Sequence, residues 1–274
     1  MPFASLLIRR NFSLLALFFL IPLIFTLTTC DNGSTDDSTL GTLENPYPRT
    51  FTGSINWSGP GGVLETLEAE GRYVALDLSD TTITDDFAPV SLDGRAFIVT
   101  VILPKGLDYI EDLPFGGCKN LISVTISGNN TIVNLGFNAF AACESLTSIV
   151  VYSSHTLYSS QNGVLCSKDK TGLVCWPPAK KPVIIPNSVT AILTYAFIYC
   201  GDLTSITIPS SIATIELLSL SYCTKLTEVT FYGGSTSIVA GSFPDGASLV
   251  SLYPSQGAGT YIRDILTATW SKKL

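Results

Sequence analysis

Seven cysteines and a single histidine are the side chains of this 274-residue chain best suited to chemistry. Four of the cysteines share one frame, lying three residues after a large apolar side chain and three before a leucine: Cys118, Cys143, Cys200 and Cys223. Such thiols could form disulfides, bind a metal, act as nucleophiles or fill a core. No Cys-x-x-Cys or histidine pair supports a metal. Because free cysteine behaves as a small buried hydrophobe, we expect a column of core-filling thiols.

The other candidate residues lack the partners that chemistry requires. His155 has no orienting acid and nucleophile recognisable beside it, which favours a surface or loop-packing role. A group of four aspartates lacks the glycine-containing spacing of a calcium loop, which favours solvated turns: Asp77, Asp80, Asp85 and Asp86. Trp57, Trp176 and Trp270 lie outside the cysteine frame, and we expect them to seal the ends of a core rather than stack on sugars.

Cys166 and Cys175 flank a predicted turn and could form a disulfide. In a hairpin with loop 168–171, Cys166 would face Leu173 and Cys175 would face Val164. The two thiols would then lie diagonally, about 7–8 Å apart. That separation is marginal for a bond without a change of register, so the pairing stays open. We expect this hairpin to project from the rest of the fold and to contribute few contacts to it.

A repeat of about 23 residues positions the framed cysteines. Counted from each cysteine, positions −11, −8, −3, +3, +6 and +8 are large and apolar in all four copies. Around Cys200 these residues are Val189, Ile192, Phe197, Leu203, Ile206 and Ile208. Further copies are centred on Arg95, Pro177 and Gly246, and the copy on Pro177 places Val183 and Ile185 in its strand.

Each half of the repeat has its own periodicity. The last part alternates apolar with polar residues, which predicts a strand, and a following proline ends ladder pairing. The first part has apolar spacings of three or four, which predicts a short helical or irregular turn. One unit cannot bury both halves, so stacked units predict a solenoid with a parallel ladder on one side. Its rungs would lie about 4.8 Å apart, so disulfides between rungs remain an alternative.

The N-terminus has the pattern of an exported protein. Two arginines at 9–10 precede the apolar run 14–27, an order typical of a secretory signal peptide over residues 1–29. A membrane-spanning helix is the alternative, although Pro22 interrupts the run. The sequence LTTC, ending at Cys30, resembles a bacterial lipobox, in which the cysteine is lipidated and becomes the mature N-terminus. Plain secretion is the other alternative.

The charge distribution excludes one class of partner. The net charge is −7 and no basic run is present, so the chain repels phosphate backbones and nucleic acid is not an expected partner. Residues 30–50 are polar, acidic and turn-rich, which predicts a disordered tether.

The repeat resembles a known family. The frame I-x-x-I-x-x-x-A-F-x-x-C-x-x-L-T-S-I-T-I-P, most complete around Cys200, is similar to the BspA-like, or treponemal-type, leucine-rich repeat. Residues 159–189 resemble an insertion common in that family, and the stretches 73–79 and 258–273 resemble the opening and closing segments of such lipoproteins. The resemblance implies a surface protein associated with adhesion to host matrix or other bacteria, and it implies no catalytic residues.

We therefore predict a mainly β repeat solenoid: a leucine-rich-repeat stack with a parallel strand ladder, short helical or irregular turns and an inserted β-hairpin. The expected organisation is a signal peptide 1–29, a tether 30–50 after lipidated Cys30, an N-terminal cap 51–94, repeats 95–253 with a hairpin at about 152–176, and a C-terminal cap 254–274.

The predicted function is binding at the cell surface, without catalysis, cofactor or metal. Expected partners are host-matrix or bacterial surface proteins and, through the lipid anchor, the outer membrane, with the chain itself monomeric. The alternatives are a structural envelope lipoprotein without a host ligand and an enzyme with an unrecognised site. The expected binding face consists of outward positions of the strands: Ser123, Thr125, Ser148, Ser205, Thr207, Glu228 and Thr230.

Overall fold

The computed structural model describes residues 40–85, 94–105, 107, 109–110, 114–127, 134–135 and 139–274. The expected signal peptide 1–29, Cys30 and Asp86 lie outside the described residues. Within the described residues, the helices are too short or too polar to cross a membrane.

The described chain is a mainly β solenoid of about seven turns, as the repeat predicted. Its helices are α1 (Val63–Glu70), a 3-10 helix (Gly94–Phe97) and α2 (Ala247–Gln256). Its strands are β1 (Tyr47–Ile55), β2 (Val74–Ile83), β3 (Ile98–Ile102), β4 (Tyr109–Ile110), β5 (Ser123–Ile126), β6 (Asn134–Leu135), β7 (Ser148–Val151), β8 (Tyr158–Gln161), β9 (Val164–Ser167), β10 (Gly172–Cys175), β11 (Ala191–Ile192), β12 (Ser205–Ile208), β13 (Thr214–Ile215), β14 (Glu228–Phe231), β15 (Ser237–Ile238), β16 (Gly259–Asp264) and β17 (Thr269–Lys272).

The predicted strand ladder is present, and it consists of two sheets. The first sheet has the order β1-β2-β3-β5-β7 and is parallel throughout. The second has the order β12-β14-β16-β17, in which β12 and β14 are parallel and the hairpin β16–β17 is antiparallel. In both sheets the apolar residues of the frame point inward, so Val124, Ile149, Ile206 and Val229 are at most 3% exposed.

In the described copies, the first half of the repeat contains the expected irregular turn and, before it, a short strand that the sequence did not predict. Positions such as Ile192, Ile215 and Ile238 lie in two-residue strands, and β10, β11, β13 and β15 pair in parallel as a second ladder. Hydrogen bonds such as Ala213 N–H to Thr190 O, at 2.7 Å, join these strands. Apolar residues three apart fit both a helical turn and a two-residue strand followed by a turn. The strand forms because its backbone pairs with the neighbouring unit.

The inserted hairpin is part of the stack, and the expectation that it projects away was wrong. β10 pairs in parallel with β11, so β8, β9 and β10 extend the second ladder. Val164, Leu165, Cys166 and Leu173 are at most 2% exposed. Leu165 belongs to the core of the N-terminal half and Val164 to that of the C-terminal half. The hairpin therefore joins the two halves of the core.

Three segments depart from the expected boundaries. β1 begins at Tyr47 and pairs in parallel with β2, so 47–50, assigned to the tether, and much of the cap 51–94 form rungs of the first sheet. The copy centred on Pro177 forms no strand at 183–185. Prolines at 182 and 186 bracket that segment. After Gly246 the chain forms α2 rather than another strand.

Aromatic side chains close the core where the repeats end. Trp57 lies edge-on to Phe115 with ring centroids 5.5 Å apart, and Trp270 lies edge-on to Phe243 at 6.2 Å. Trp176 stacks on Phe197 at 5.5 Å, at the start of the C-terminal half of the core. All three tryptophans are at most 3% exposed. Trp57 and Trp270 lie near the ends of the core, as expected, whereas Trp176 lies at the junction of its two halves. All three are too buried to stack on sugars.

Candidate functional site

The outward side chains of the C-terminal sheet form one continuous surface. Ser205 lies opposite Glu228 and Thr207 opposite Thr230 in the parallel pair β12–β14. Ser205 and Thr207 are exposed, whereas Glu228 and Thr230 are half-buried. The antiparallel hairpin extends this surface: the Thr230 and Thr260 hydroxyl oxygens are 2.9 Å apart. Lys273 approaches the Glu228 carboxylate at 3.6 Å.

The remaining predicted face residues lie in the N-terminal sheet. Ser123 lies opposite Ser148, and Thr125 lies opposite Val150. All three predicted residues are half-buried, whereas Val150 is 40% exposed. The turn at Gly163 approaches Ser148 so closely that a Cβ added to the glycine would lie 2.8 Å from the Ser148 hydroxyl oxygen. The backbone there has φ +79°, which also favours glycine. The hairpin therefore borders this part of the face.

The structure thus brings the seven predicted residues together as two groups rather than one. Residues 178–186 run between the two sheets without forming a strand. A groove with a volume of about 340 Å³ lies along this interruption. Its lining includes Lys181 and Val183 on one side and Ser205, Ile206 and Thr207 on the other.

The framed cysteines form the expected column inside the stack. Their thiols donate to backbone carbonyls of the preceding unit: Cys143 to Phe115 O at 3.0 Å, and Cys223 to Phe197 O at 3.1 Å. Burial raises the pKa of Cys223 to about 12 and that of Cys200 well above its usual value. Because the thiolate is the nucleophile and the metal ligand, these thiols are core residues.

All six cysteines among the described residues are free. The hairpin pairs Cys166 with Leu173 as expected, but Cys175 faces Leu165 instead of Val164 because the register shifts between Leu173 and Cys175. Burial raises the pKa of Cys166 to about 11 and that of Cys175 to about 12. The disulfide that the sequence left open is not formed.

His155 organises the loop that follows β7. It is 0% exposed, and its Nδ1 accepts hydrogen bonds from Leu157 N–H at 3.2 Å and Tyr158 N–H at 3.0 Å. The Lys168 ammonium donates to the carbonyl oxygens of Ser153 and His155. Burial, and then the nearby Lys168 charge, lower the pKa of His155. The imidazole is a loop-packing residue rather than a surface one.

The described aspartates of the predicted group make separate structural contacts. Asp85 accepts hydrogen bonds from the backbone N–H groups of Trp57 and Ser58, at 2.7 and 2.8 Å. Asp80 pairs with Lys105 at 2.8 Å, and Asp77 accepts a bond from Ser79 N–H. No group of three potential metal ligands occurs among the described residues.

A pair of tyrosines forms an exposed feature that the repeat frame does not predict. Tyr199 and Tyr222 stack with ring centroids 4.7 Å apart, although they are 40% and 57% exposed. Both residues have positive φ, as do Gly117 and Ala142 at the equivalent position. A non-glycine residue in this region is uncommon. The signal was present in the sequence as a tyrosine preceding the cysteine in two successive copies.

The chain is similar to known proteins in both sequence and structure. The family model described as "BspA type Leucine rich repeat region" matches residues 93–167 and 180–263 as six copies. No curated protein matches the chain. Among solved structures, a leucine rich cell surface protein from Faecalibacterium prausnitzii is 22% identical, with a TM-score of 0.40, and the match covers 62% of this chain and 52% of that one.

Two further solved structures are similar. A leucine-rich repeat protein from Eubacterium ventriosum is 18% identical, with a TM-score of 0.31 and coverage of 70% of this chain and 71% of that one. The pneumococcal vaccine antigen PcpA is 18% identical, with a TM-score of 0.39 and coverage of 72% and 62%. The chain spans about half the length of the Faecalibacterium protein.

Proposed function

The chain belongs to the BspA-type leucine-rich repeat family, and on that premise we propose that it is a cell-surface protein that binds other proteins through the outward face of its strand ladder. The family and the repeat architecture support a binding role. We further propose that the partners are host-matrix or bacterial surface proteins and that the chain acts without catalysis.

The observation that carries this proposal is the order of short polar side chains on a rigid frame. Ser205, Thr207, Glu228 and Thr230 stand on paired strands whose inward residues belong to the core. A surface fixed in this way loses little conformational freedom when a partner binds, which favours affinity. The framed thiols and His155 are buried in structural roles, so the outward face of the strands is the best-supported contact surface.

We also propose that a lipid on Cys30 holds the domain at the outer membrane, with the polar residues after it as the spacer. The lipobox-like sequence LTTC supports this proposal. An outward orientation would make the domain accessible to external protease. Proteolysis of intact cells should therefore digest the repeats while leaving a periplasmic marker protein whole. Protection equal to that of the marker would contradict the outward orientation.

The binding role is tested with the full chain and immobilised extracellular-matrix proteins or intact bacterial cells. Thr207→Glu places a bulky charge on the ladder face, and Thr125→Glu does so in the other group. The matched control is Thr214→Glu, because Thr214 is also an exposed threonine in a short paired strand but lies on the second ladder. We expect both face variants to weaken binding at least tenfold and the control to change it less than twofold. Equal effects of all three, or no binding to any surface, would contradict the proposal.

A further inference from the structure

The strand β12 has an unpaired edge in the middle of the molecule. Glu228 N–H donates to Thr204 O at 3.2 Å, and Tyr232 N–H donates to Ile208 O at 3.0 Å. The direction of the backbone N–H and C=O groups alternates along a strand. These groups of residues 204, 206 and 208 therefore face β14, and those of Ser205 and Thr207 face the opposite side. Within the described residues, no strand pairs with β12 on that side.

The repeat frame places a strand beside this edge, but the chain does not supply one. Val183, Ile184 and Ile185 occupy the position where the copy centred on Pro177 would form its rung, and they lie in no strand. Ile184 is 69% exposed. By contrast, the edge of β7 that faces away from β5 is covered, since Ile149 N–H donates to Gly163 O at 2.8 Å.

The groove beside β12 has an apolar floor that is incompletely covered. Leu203 is 8% exposed and Ile206 is 3% exposed, whereas Leu226 and Val229, their equivalents in the next unit, are both 0% exposed. Val183 and Trp176 also line the 340 Å³ groove. A single extended chain, whose side chains alternate in direction, would place an apolar side chain on this floor.

The charges at the groove favour an acidic occupant. Lys180 and Lys181 line it, and neither ammonium forms an ion pair within the described part of the chain. Asp202, also in the lining, is paired with Lys225 at 2.7 Å. The local charge is therefore positive, although the chain as a whole is acidic.

We propose that the free edge of β12 binds an extended segment of a partner protein, which adds a strand to the sheet. The Ser205 and Thr207 backbone groups form the ladder hydrogen bonds, an apolar side chain of the partner covers Leu203 and Ile206, and a neighbouring carboxylate lies near Lys181. Strand addition to an exposed edge is a recurring mode of peptide recognition. This inference rests on the proposed function as a protein binder. It adds that one segment of the partner binds as a strand at the edge of β12.

A designed probe peptide, used in place of the natural partner, tests whether the edge of β12 binds an extended chain. The probe is an acetylated five-residue peptide that alternates threonine and isoleucine around a central aspartate, carries a fluorophore, and is titrated with the full chain while anisotropy is measured. Two further probes carry N-methyl groups on alternate amides, in the two possible registers. We expect saturable binding of the parent probe and at least tenfold weaker binding of one methylated probe. Binding of all three with equal affinity, or no binding of the parent, would overturn the proposal.

Protein variants locate the binding. Thr207→Pro removes the N–H that faces the groove but keeps the bonds to β14, because proline is tolerated where the N–H of an edge strand points away from the sheet. The control Thr207→Val keeps the N–H. We expect about tenfold weaker probe binding for Thr207→Pro, less than twofold change for Thr207→Val, and weaker binding for Lys181→Glu. Equal affinities for the proline and valine variants would contradict binding at this edge.

Two other occupants give distinct results. If a second copy of the chain covers the edge, sedimentation will show a dimer that Thr207→Pro dissociates. If Val183–Ile185 covers it, the amide of Thr207 will be protected from hydrogen exchange in the free monomer. Either result overturns the proposal. The variant Thr125→Glu separates this inference from the proposed function, because it should weaken binding to matrix proteins or cells and leave probe binding unchanged.

Discussion

Truncation of two equivalent leucines should have unequal costs because one borders the groove. Leu226 is 0% exposed and lies in the frame between Leu203 and Leu249 of the neighbouring units. Leu226→Ala removes three carbon atoms, and the lost transfer free energy is about 2 kcal/mol. The surrounding units are filled, so the cavity persists and raises the total to about 4 kcal/mol.

Leu203→Ala should cost less, about 2–3 kcal/mol, since Leu203 is 8% exposed and the adjacent groove lets the site relax. The assay is chemical denaturation of both variants, with hydrogen exchange to show where protection is lost. Solenoid units contact mainly their neighbours, so we expect the first losses in β12 and β14. If Leu203→Ala costs as much as Leu226→Ala, or if protection falls uniformly along the chain, the reasoning is refuted.

Four further predictions concern the hairpin, two buried side chains and the N-terminal cysteine. Replacing residues 159–174 by a short Gly-Ser loop should destabilise both halves, since the hairpin joins their cores; a melting temperature within a few degrees of wild type would contradict this. Cys223→Ala should be mild, whereas Cys223→Asp should cost about 3 kcal/mol or more, because a buried charge would lack a partner; native thiol labelling as fast as in denaturant would contradict its burial. The lowered pKa of His155 implies that the free energy of unfolding falls as the pH decreases through about 6.5, where the unfolded histidine takes up a proton and the folded one resists it. His155→Gln should flatten this pH dependence in denaturation curves, and an unchanged slope would refute it. Cys30→Ser should abolish acylation and release the protein from membrane fractions, and continued partition with lipid would show a retained apolar helix instead.

The cysteine frame carried most of what the sequence could predict. It predicted the strands β5, β7, β12 and β14 and the inward column of cysteines. The same alternation of apolar and polar residues recurs in several copies, which makes a chance match improbable. Of the tryptophans, which lie outside this frame, Trp57 and Trp270 lie near the ends of the core as expected. The register of the hairpin was half correct, since Cys166 pairs with Leu173 but a shift moves Cys175 opposite Leu165.

The errors have a common physical cause, which is that pairing between distant units is not visible in a local pattern. The position of Ile192 suits a helical turn when taken alone, and only its pairing with Ile215 shows a strand. The apolar residues of the hairpin were assigned to a projecting element, yet Leu165 and Val164 join the two halves of the core. Conversely, Val183 and Ile185 fit the strand pattern but form no strand.

The candidate surface was predictable only in part. Alternation alone assigned the outward residues, because side chains of a strand point to opposite faces. The interruption between the two sheets divides these outward residues into two groups. The unpaired edge at Thr207 and the stacked pair of Tyr199 and Tyr222 could not be inferred without the fold. These features depend on which units are neighbours and on the absence of a strand in the segment 178–186.

Photo-crosslinking from single positions on living cells tests the central claim most directly. A photoreactive residue is introduced at position 207 on the ladder face or at position 214 on the second ladder, and the cells are exposed to matrix proteins or partner bacteria before irradiation. We predict covalent adducts with an external protein from position 207 and none above background from position 214. Adducts from position 214 alone, or from neither position while the cells still bind, would contradict binding through the ladder face.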